Sequence, residues 1–389
     1  MKQFLTVIAA LCLLTACHHD HEEEVLERVI MVYIADDNTG SWEIGYRSDL
    51  RQMMEGTKAL TRKQKVVAFI DNARELPYIL EIAQGDTTRV HQYKEALSSS
   101  DASVMAEVLA WIANNYNAKS YGLVLWGHAT GWEIKTRGDD STTAPPSLAR
   151  SPRKAYAVEH GTSWMDIPDM ARELARLPKL AFIFADCCCF QCIEVDYELR
   201  NVADYIIASA AEIPGEGAPY QTVVPALFST ADDYYRQAVD AYYEQTSYGY
   251  REPMTVVKTS ELANLATATY DVLASFVPAL DSEHPNVDGL IYYYDEAFFD
   301  MNDFILRYAD DNHYQEWRRA FDKAVVYRTM VTRWMANHVK FTFEVTEQRY
   351  GGVSMFVPQN PWNTFFDDLN NTISNMQWYN AARLHSFGW

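Results

Sequence analysis

Basic side chains are in short supply: 33 Lys and Arg stand against 53 Asp and Glu in 389 residues, a formal net charge of −20. That balance argues against phosphate-backbone ligands such as nucleic acid and favours cationic partners, basic peptides among them. Beyond residue 16, no apolar stretch reaches the roughly 20 residues a membrane-spanning helix needs. No repeat of fixed period marks a solenoid or propeller. Cysteine is scarce, six in all, and four of the six crowd into 187–192. No second C-x-x-C or paired histidine spacing accompanies Cys189-Phe190-Gln191-Cys192, and adjacent cysteines surround one tetrahedral ion poorly, which argues against structural zinc. The many acidic residues include no EF-hand-like spacing, so the sequence leaves the metal requirement unknown.

What the chain does have begins at its N-terminus. Lys2 precedes an apolar stretch from Phe4 to Leu14, and Leu14-Thr15-Ala16-Cys17 follows. This resembles a bacterial lipoprotein signal peptide with its lipobox, which implies cleavage after Ala16, lipid on Cys17 and export. Residues 1–16 are then a signal peptide, and 17–27 a polar tether containing His18-His19-Asp20-His21-Glu22-Glu23-Glu24. Removing 1–16 takes away only Lys2, leaving a charge near −21. The acidic run after Cys17 resembles export signals of Bacteroidetes surface lipoproteins, implying the outer membrane and its outer face as the location.

From residue 28 the pattern alternates strand and helix. Arg28–Ala35 and Lys65–Ile70 read as strands around a helix in 42–60, the βαβ crossover of a parallel sheet. Tyr78–Ile82 and Arg89–Tyr93 read as a hairpin about Gly85-Asp86, and Ser100-Asp101 caps a helix running to Asn115. Tyr121–Trp132 (YGLVLWGHATGW) and Ala181–Arg200 (AFIFADCCCFQCIEVDYELR) are each an apolar, buried-strand run that stops at reactive side chains. Parallel sheets concentrate chemistry at such carboxyl ends. If the two strands are neighbours, His128 meets a cysteine sulfur, the pairing a cysteine hydrolase needs. Between them, 133–160 carries Gly138-Asp139-Asp140, Pro145-Pro146 and then Arg150, Arg153 and Lys154, the composition of an exposed loop. A catalytic domain over 28–235 is expected, with 236–389 completing or covering it. In that second part helices are expected over 260–276 and 314–339 and a strand over 352–358.

The runs Leu125-Trp-x-His-x-x-Gly-Trp132, Asp186-x-Cys188 and Val195-x-Tyr-Glu-Leu199 resemble the clostripain-like cysteine peptidases, relatives of caspases and gingipains. Tyr33 to Asn38 and the Pro214-Gly-x-Gly-x-Pro-Tyr220 ending add support. The resemblance implies a caspase-like α/β/α sandwich with a mostly parallel central sheet and an additional C-terminal helical and strand region. It implies an endopeptidase in which Cys188 is the nucleophile and His128 its partner, with the backbone amides of Ala129 and Cys188 as oxyanion donors. Ala129 departs from the family's usual glycine, and any need for positive φ there would cost about a kcal/mol. Asp186 corresponds to the specificity acid for a lysyl or arginyl side chain; Glu216 either adds a second charge or simply belongs to a turn. Family members mature by cutting the loop between the catalytic strands, which here points to Arg153 and Lys154. No cofactor is required by the residues, and calcium is the ion that some relatives depend on. Two other readings of the same residues are a thiol-disulfide oxidoreductase using Cys189 and Cys192, and a surface lipoprotein that binds peptide or glycan without turnover.

Overall fold

The structure, a computed structural model, describes residues 25–36, 43–132, 156–159, 163–245, 252–280, 284–294, 298–336, 339–342, 345–358 and 369–389. Cys17, the tether before residue 25, Arg153 and Lys154 lie outside the described residues. The first half runs β1 (Arg28–Asp36), α1 (Glu43–Thr57), β2 (Gln64–Asn72), β3 (Glu75–Ala83), β4 (Asp86–Gln92), α2 (Ala102–Asn115), β5 (Tyr121–Trp126), β6 (Tyr156–Glu159), β7 (Ser163–Met165), α3 (Ile167–Leu174), β8 (Leu180–Asp186), α4 (Ile193–Glu198) and β9 (Ala203–Ala208). The second half runs α5 (Tyr220–Leu227), α6 (Tyr234–Gln245), β10 (Thr255–Lys258), α7 (Leu262–Phe276), β11 (Phe299–Asp300), α8 (Met301–Tyr308), α9 (Asp311–Ala324), β12 (Val325–Arg328), β13 (Arg333–Ala336), β14 (Val339–Thr342), β15 (Ser354–Met355) and α10 (Gln377–Ala381).

Nine strands form one sheet in the order β12-β10-β9-β8-β5-β1-β2-β3-β4. The five central strands, β9 to β2, are parallel, and antiparallel strands extend the sheet on both sides. Side-chain alternation divides the interior into two layers. In β1, Val29, Met31, Tyr33 and Ala35 enter the core that also holds α2, α3, α4 and α7, whereas Ile30, Val32 and Ile34 enter the core of α1, α5 and α6. The expected α/β/α sandwich is therefore present. Local chemistry explains its elements. Asp101 caps α2 by accepting from the Ser103 N–H at 2.8 Å, and Met105, Val108, Leu109 and Ile112 follow on its buried face. The β3–β4 hairpin turns through Gln84 and Gly85, both at positive φ, as a two-residue turn of the twist-compatible kind requires.

The C-terminal half departs from the sequence expectations. The helix expected over 314–339 ends at Ala324, because Val325-Val326-Tyr327 is a β-branched and aromatic run that pairs with β10 as an edge strand. Only Ser354 and Met355 of the strand expected over 352–358 are paired, with β11. This half also holds the helix that follows the cysteine cluster. Glu194 accepts from the Phe356 N–H at 2.7 Å, Glu198 from the Gln377 side chain at 2.6 Å, and the Ser354 N–H donates to Gln191 O at 3.1 Å. No described helix is long and apolar enough to cross a membrane.

Candidate active site

β5 and β8 are neighbours, and their register pairs Trp126 with Asp186. His128 and Cys188 each stand two residues beyond that pair, so strands about 4.8 Å apart deliver both to one point on the sheet edge. Both line a cavity of about 160 Å³, shared with Asp36, Trp126, Asp186 and Glu212 and closed by the loop 213–217. Alternation sets which side each neighbour faces. Phe184 enters the α1/α5/α6 core, so Asp186, two residues on, faces that layer, while Cys187 joins the opposite core.

The Cys188 sulfur is half-buried; it accepts from the Ile213 N–H at 3.4 Å and lies 3.8 Å from Ile213 O. Burial, helped by the nearby Glu212, Glu252 and Asp186 carboxylates and opposed by the Ile213 N–H, pushes this thiol up to about 12. The resting group is therefore a thiol. Cys187, Cys189 and Cys192 are fully buried free thiols. The Cys192 thiol donates to Cys189 O at 3.0 Å, so the C-x-x-C is packed into the core, where a partner thiol has no access. Cys189 has φ 54°, a left-handed conformation costing about 1 kcal/mol for a residue with a Cβ, held by its N–H to Ala211 O at 2.9 Å. That bend turns the chain so that Cys188 alone of the four faces the cavity.

Across from it, the His128 turn is braced from below. Tyr156 is fully buried; its hydroxyl lies 3.2 Å from Tyr33 O within β1 and 3.3 Å from Trp126 O at the end of β5, and donates to these carbonyls. The Ala157 N–H donates to His128 O at 3.1 Å, and Ala129 bridges to Tyr156. Ala129 is not among the residues at positive φ, so alanine in place of the family's glycine carries no strain. The positive φ falls instead on the glycines, Gly127 at 147° and Gly131 at 74°, and a Cβ on Gly131 would stand 2.9 Å from Cys192 Sγ and 3.0 Å from Cys189 O. The histidine and cysteine loops touch back to back at that point.

Asp186 is buried at the cavity wall. Its Oδ2 accepts from the Tyr220 hydroxyl at 2.6 Å and the Ala218 N–H at 2.9 Å, and its Oδ1, fully buried, has no hydrogen-bond partner among the described residues. Burial raises the carboxyl to about 6 against those two donors. Glu216, by contrast, is exposed in the turn and is not one of the lining residues; the acid of this loop that does line the cavity is Glu212. Asp49 and Glu212 escaped the sequence reading. For Asp49 a signal existed: an acid lies on the buried stripe of α1 between Tyr46 and Met53, at helical spacing. Among the described residues no three His, Cys, Asp or Glu side chains are arranged to hold a metal ion.

The family model for the clostripain family, peptidase C11, matches residues 32–386. The chain belongs to the clostripain family. It is accordingly a cysteine peptidase acting on peptides. A secreted C11 cysteine protease from Bacteroides thetaiotaomicron, solved with an irreversible peptide inhibitor, is 25% identical and superposes with a TM-score of 0.76 over 92% of this chain and 99% of its own. An inactive zymogen C11 protease from Parabacteroides distasonis shares the fold at 24% identity and a TM-score of 0.75, over 92% of this chain and 98% of its own. A cysteine protease from B. fragilis is 31% identical over 58% of this chain and 96% of its own, with a TM-score of 0.50. No curated protein matches the sequence. The nine-stranded, largely parallel sheet of this clostripain-family chain is the sheet of those C11 structures.

Proposed function

We propose that this peptidase cuts after arginine and lysine, with Cys188 as nucleophile and His128 as its base. The observation that carries the reading is the buried, unpartnered Oδ1 of Asp186 in the cavity shared by Cys188 and His128. A guanidinium or ammonium group supplies the hydrogen bonds and charge that this oxygen lacks. In the reaction His128 takes the thiol proton as sulfur attacks the carbonyl, and the backbone N–H groups of Ala129 and Cys188 receive the oxyanion. The imidazolium then returns the proton to the leaving amine, and water releases the acyl group by the same route.

Maturation is proposed to follow from the same specificity, by a cut at Arg153 or Lys154. Tyr156 begins two residues beyond, and its anchorage under His128 would keep the new terminus in place. Protein starting after Cys17, assayed under reductant with and without calcium, is expected to turn over arginyl and lysyl peptides at least 100-fold faster than neutral ones. N-terminal sequencing is expected to find a new terminus within 151–156. Equal turnover of all three peptides, or a chain that stays whole, would sink the specificity and the maturation respectively. We further propose an anchor by lipid on Cys17, placing the enzyme on the bacterial envelope. Palmitate labelling is expected in the wild type and absent in Cys17→Ser; equal labelling removes the anchor from the account.

A further inference from the structure

A further carboxylate lies directly behind the wall of the cavity that Asp186 lines. Asp49 is fully buried on α1, and its Oδ2 accepts the Trp126 indole N–H at 2.8 Å. Trp126 and Gly217 both line the cavity, and Gly217 marks where the two acids converge. A Cβ on Gly217 would lie 2.4 Å from Asp49 Oδ2 and 3.2 Å from Asp186 Oδ2. Those two oxygens are therefore less than about 6 Å apart, inside the screening length of about 8 Å at physiological ionic strength.

We propose that Asp49 is a second specificity residue, a proton-holding acid whose ionisation is driven by entry of the substrate's basic side chain beside Asp186. The inference rests on the proposed basic specificity and extends it. Two buried carboxylates this close repel, and a buried acid pair is costly unless a cation joins it. The groups facing Asp49 are Asp186 from β8, Tyr220 from α5, Trp126 from β5 and Arg51 from its own helix. Burial and then the Asp186 charge raise Asp49 to about 8, against the indole hydrogen bond and Arg51. With Asp186 at about 6, the empty pocket at neutral pH carries its charge on Asp186 and a proton on Asp49.

A guanidinium in the pocket stabilises the ionised form of Asp49 and lowers its pKa, so binding expels that proton. Affinity for an arginyl side chain should then rise with pH through about 8, a second step above the one at Asp186. Asn in place of Asp49 keeps an oxygen to accept the indole N–H and removes the titration, while its NH2 replaces the Oδ1 to which the Gln52 side chain donates at 3.5 Å. In matured enzyme, Asp49→Asn is expected to raise the arginyl-peptide KM about tenfold at pH 8.5, a scale set by a neighbouring charge at this range. The loss should fall on the KM for basic peptides more than on kcat, and the variant should lose the fall in KM between pH 7 and 9. As a measurement independent of the variant's folding, agmatine binding to wild type at pH 7.5, followed calorimetrically in buffers of different ionisation enthalpy, is expected to release a proton. Wild type preferring arginyl peptides, with no proton release and an unchanged KM profile in Asp49→Asn, overturns the role of Asp49 alone. Wild type without that preference overturns the specificity reading and this inference together.

Discussion

Replacing Cys188 by alanine is expected to lower kcat on arginyl peptides by about 10⁴-fold or more, to the level left when a nucleophile is deleted from a peptidase site. Cys189→Ala should remain within about tenfold of wild type, because that residue contributes its left-handed backbone and a buried sulfur to the turn. His128→Ala should match the loss at Cys188, and the double variant should be no worse than either single one, since the two act as a unit. The raised thiol sharpens the expectation. At about 12, only about one thiolate in 3 × 10⁴ is present near pH 7.5, so activity is expected to depend on proton transfer to the base during attack. His128→Ala should therefore regain part of its activity as pH is raised towards 9, whereas Cys188→Ala should regain none. Substantial turnover by Cys188→Ala, or a loss that instead follows Cys189, would remove Cys188 as nucleophile.

Asp186→Asn should have the next largest effect, a fall of about 10² to 10³ in kcat/KM on arginyl and lysyl peptides, the usual consequence of leaving a buried cation without its charged partner. Neutral peptides should change by less than tenfold, since Tyr220 and the Ala218 N–H still have an oxygen to donate to. The pH dependence has a definite sign. Asp186 is raised to about 6, so it gains a proton and loses its attraction as pH falls through that value. The wild-type arginyl KM should accordingly rise below pH 6, and the Asp186→Asn profile should stay flat there. Parallel losses on basic and neutral peptides would show that the residue only holds the loop 214–220 in place.

Much of this site is legible because it depends on local order. His128 and Cys188 each follow an apolar strand directly, and two strands entering the same parallel sheet bring their trailing residues together. Glu216 illustrates the limit. In the sequence it is the acid nearest the glycines of its turn, yet its side chain is exposed while Glu212, four residues earlier, faces the cavity. Which acid points inward is decided by the path of the loop from β9 to α5. Ala129 illustrates the same limit from the other side: the alanine looked like a strain at a position of uncertain φ, and around the site the positive φ of a residue with a Cβ falls on Cys189 and on Ala157.

The sequence by itself determined the elements whose stability is local, namely the continuous apolar runs of the buried strands, the capped helix α2 and the tight hairpin, and with them the α/β class and the places of His128 and Cys188 at the ends of β5 and β8. It also carried the family motifs, because those residues are close in the chain. The tertiary structure alone decided what depends on packing between distant segments. Val325-Val326-Tyr327 became an edge strand because β10 offered an unpaired edge. Tyr156 became a brace because Tyr33 within β1 and Trp126 at the end of β5 present two carbonyls to it. Asp49 became a neighbour of Asp186 because α1 lays its buried stripe on the face of the sheet towards which Asp186 points. Burial and proximity in space set these outcomes, and neither is a property of a short stretch of sequence.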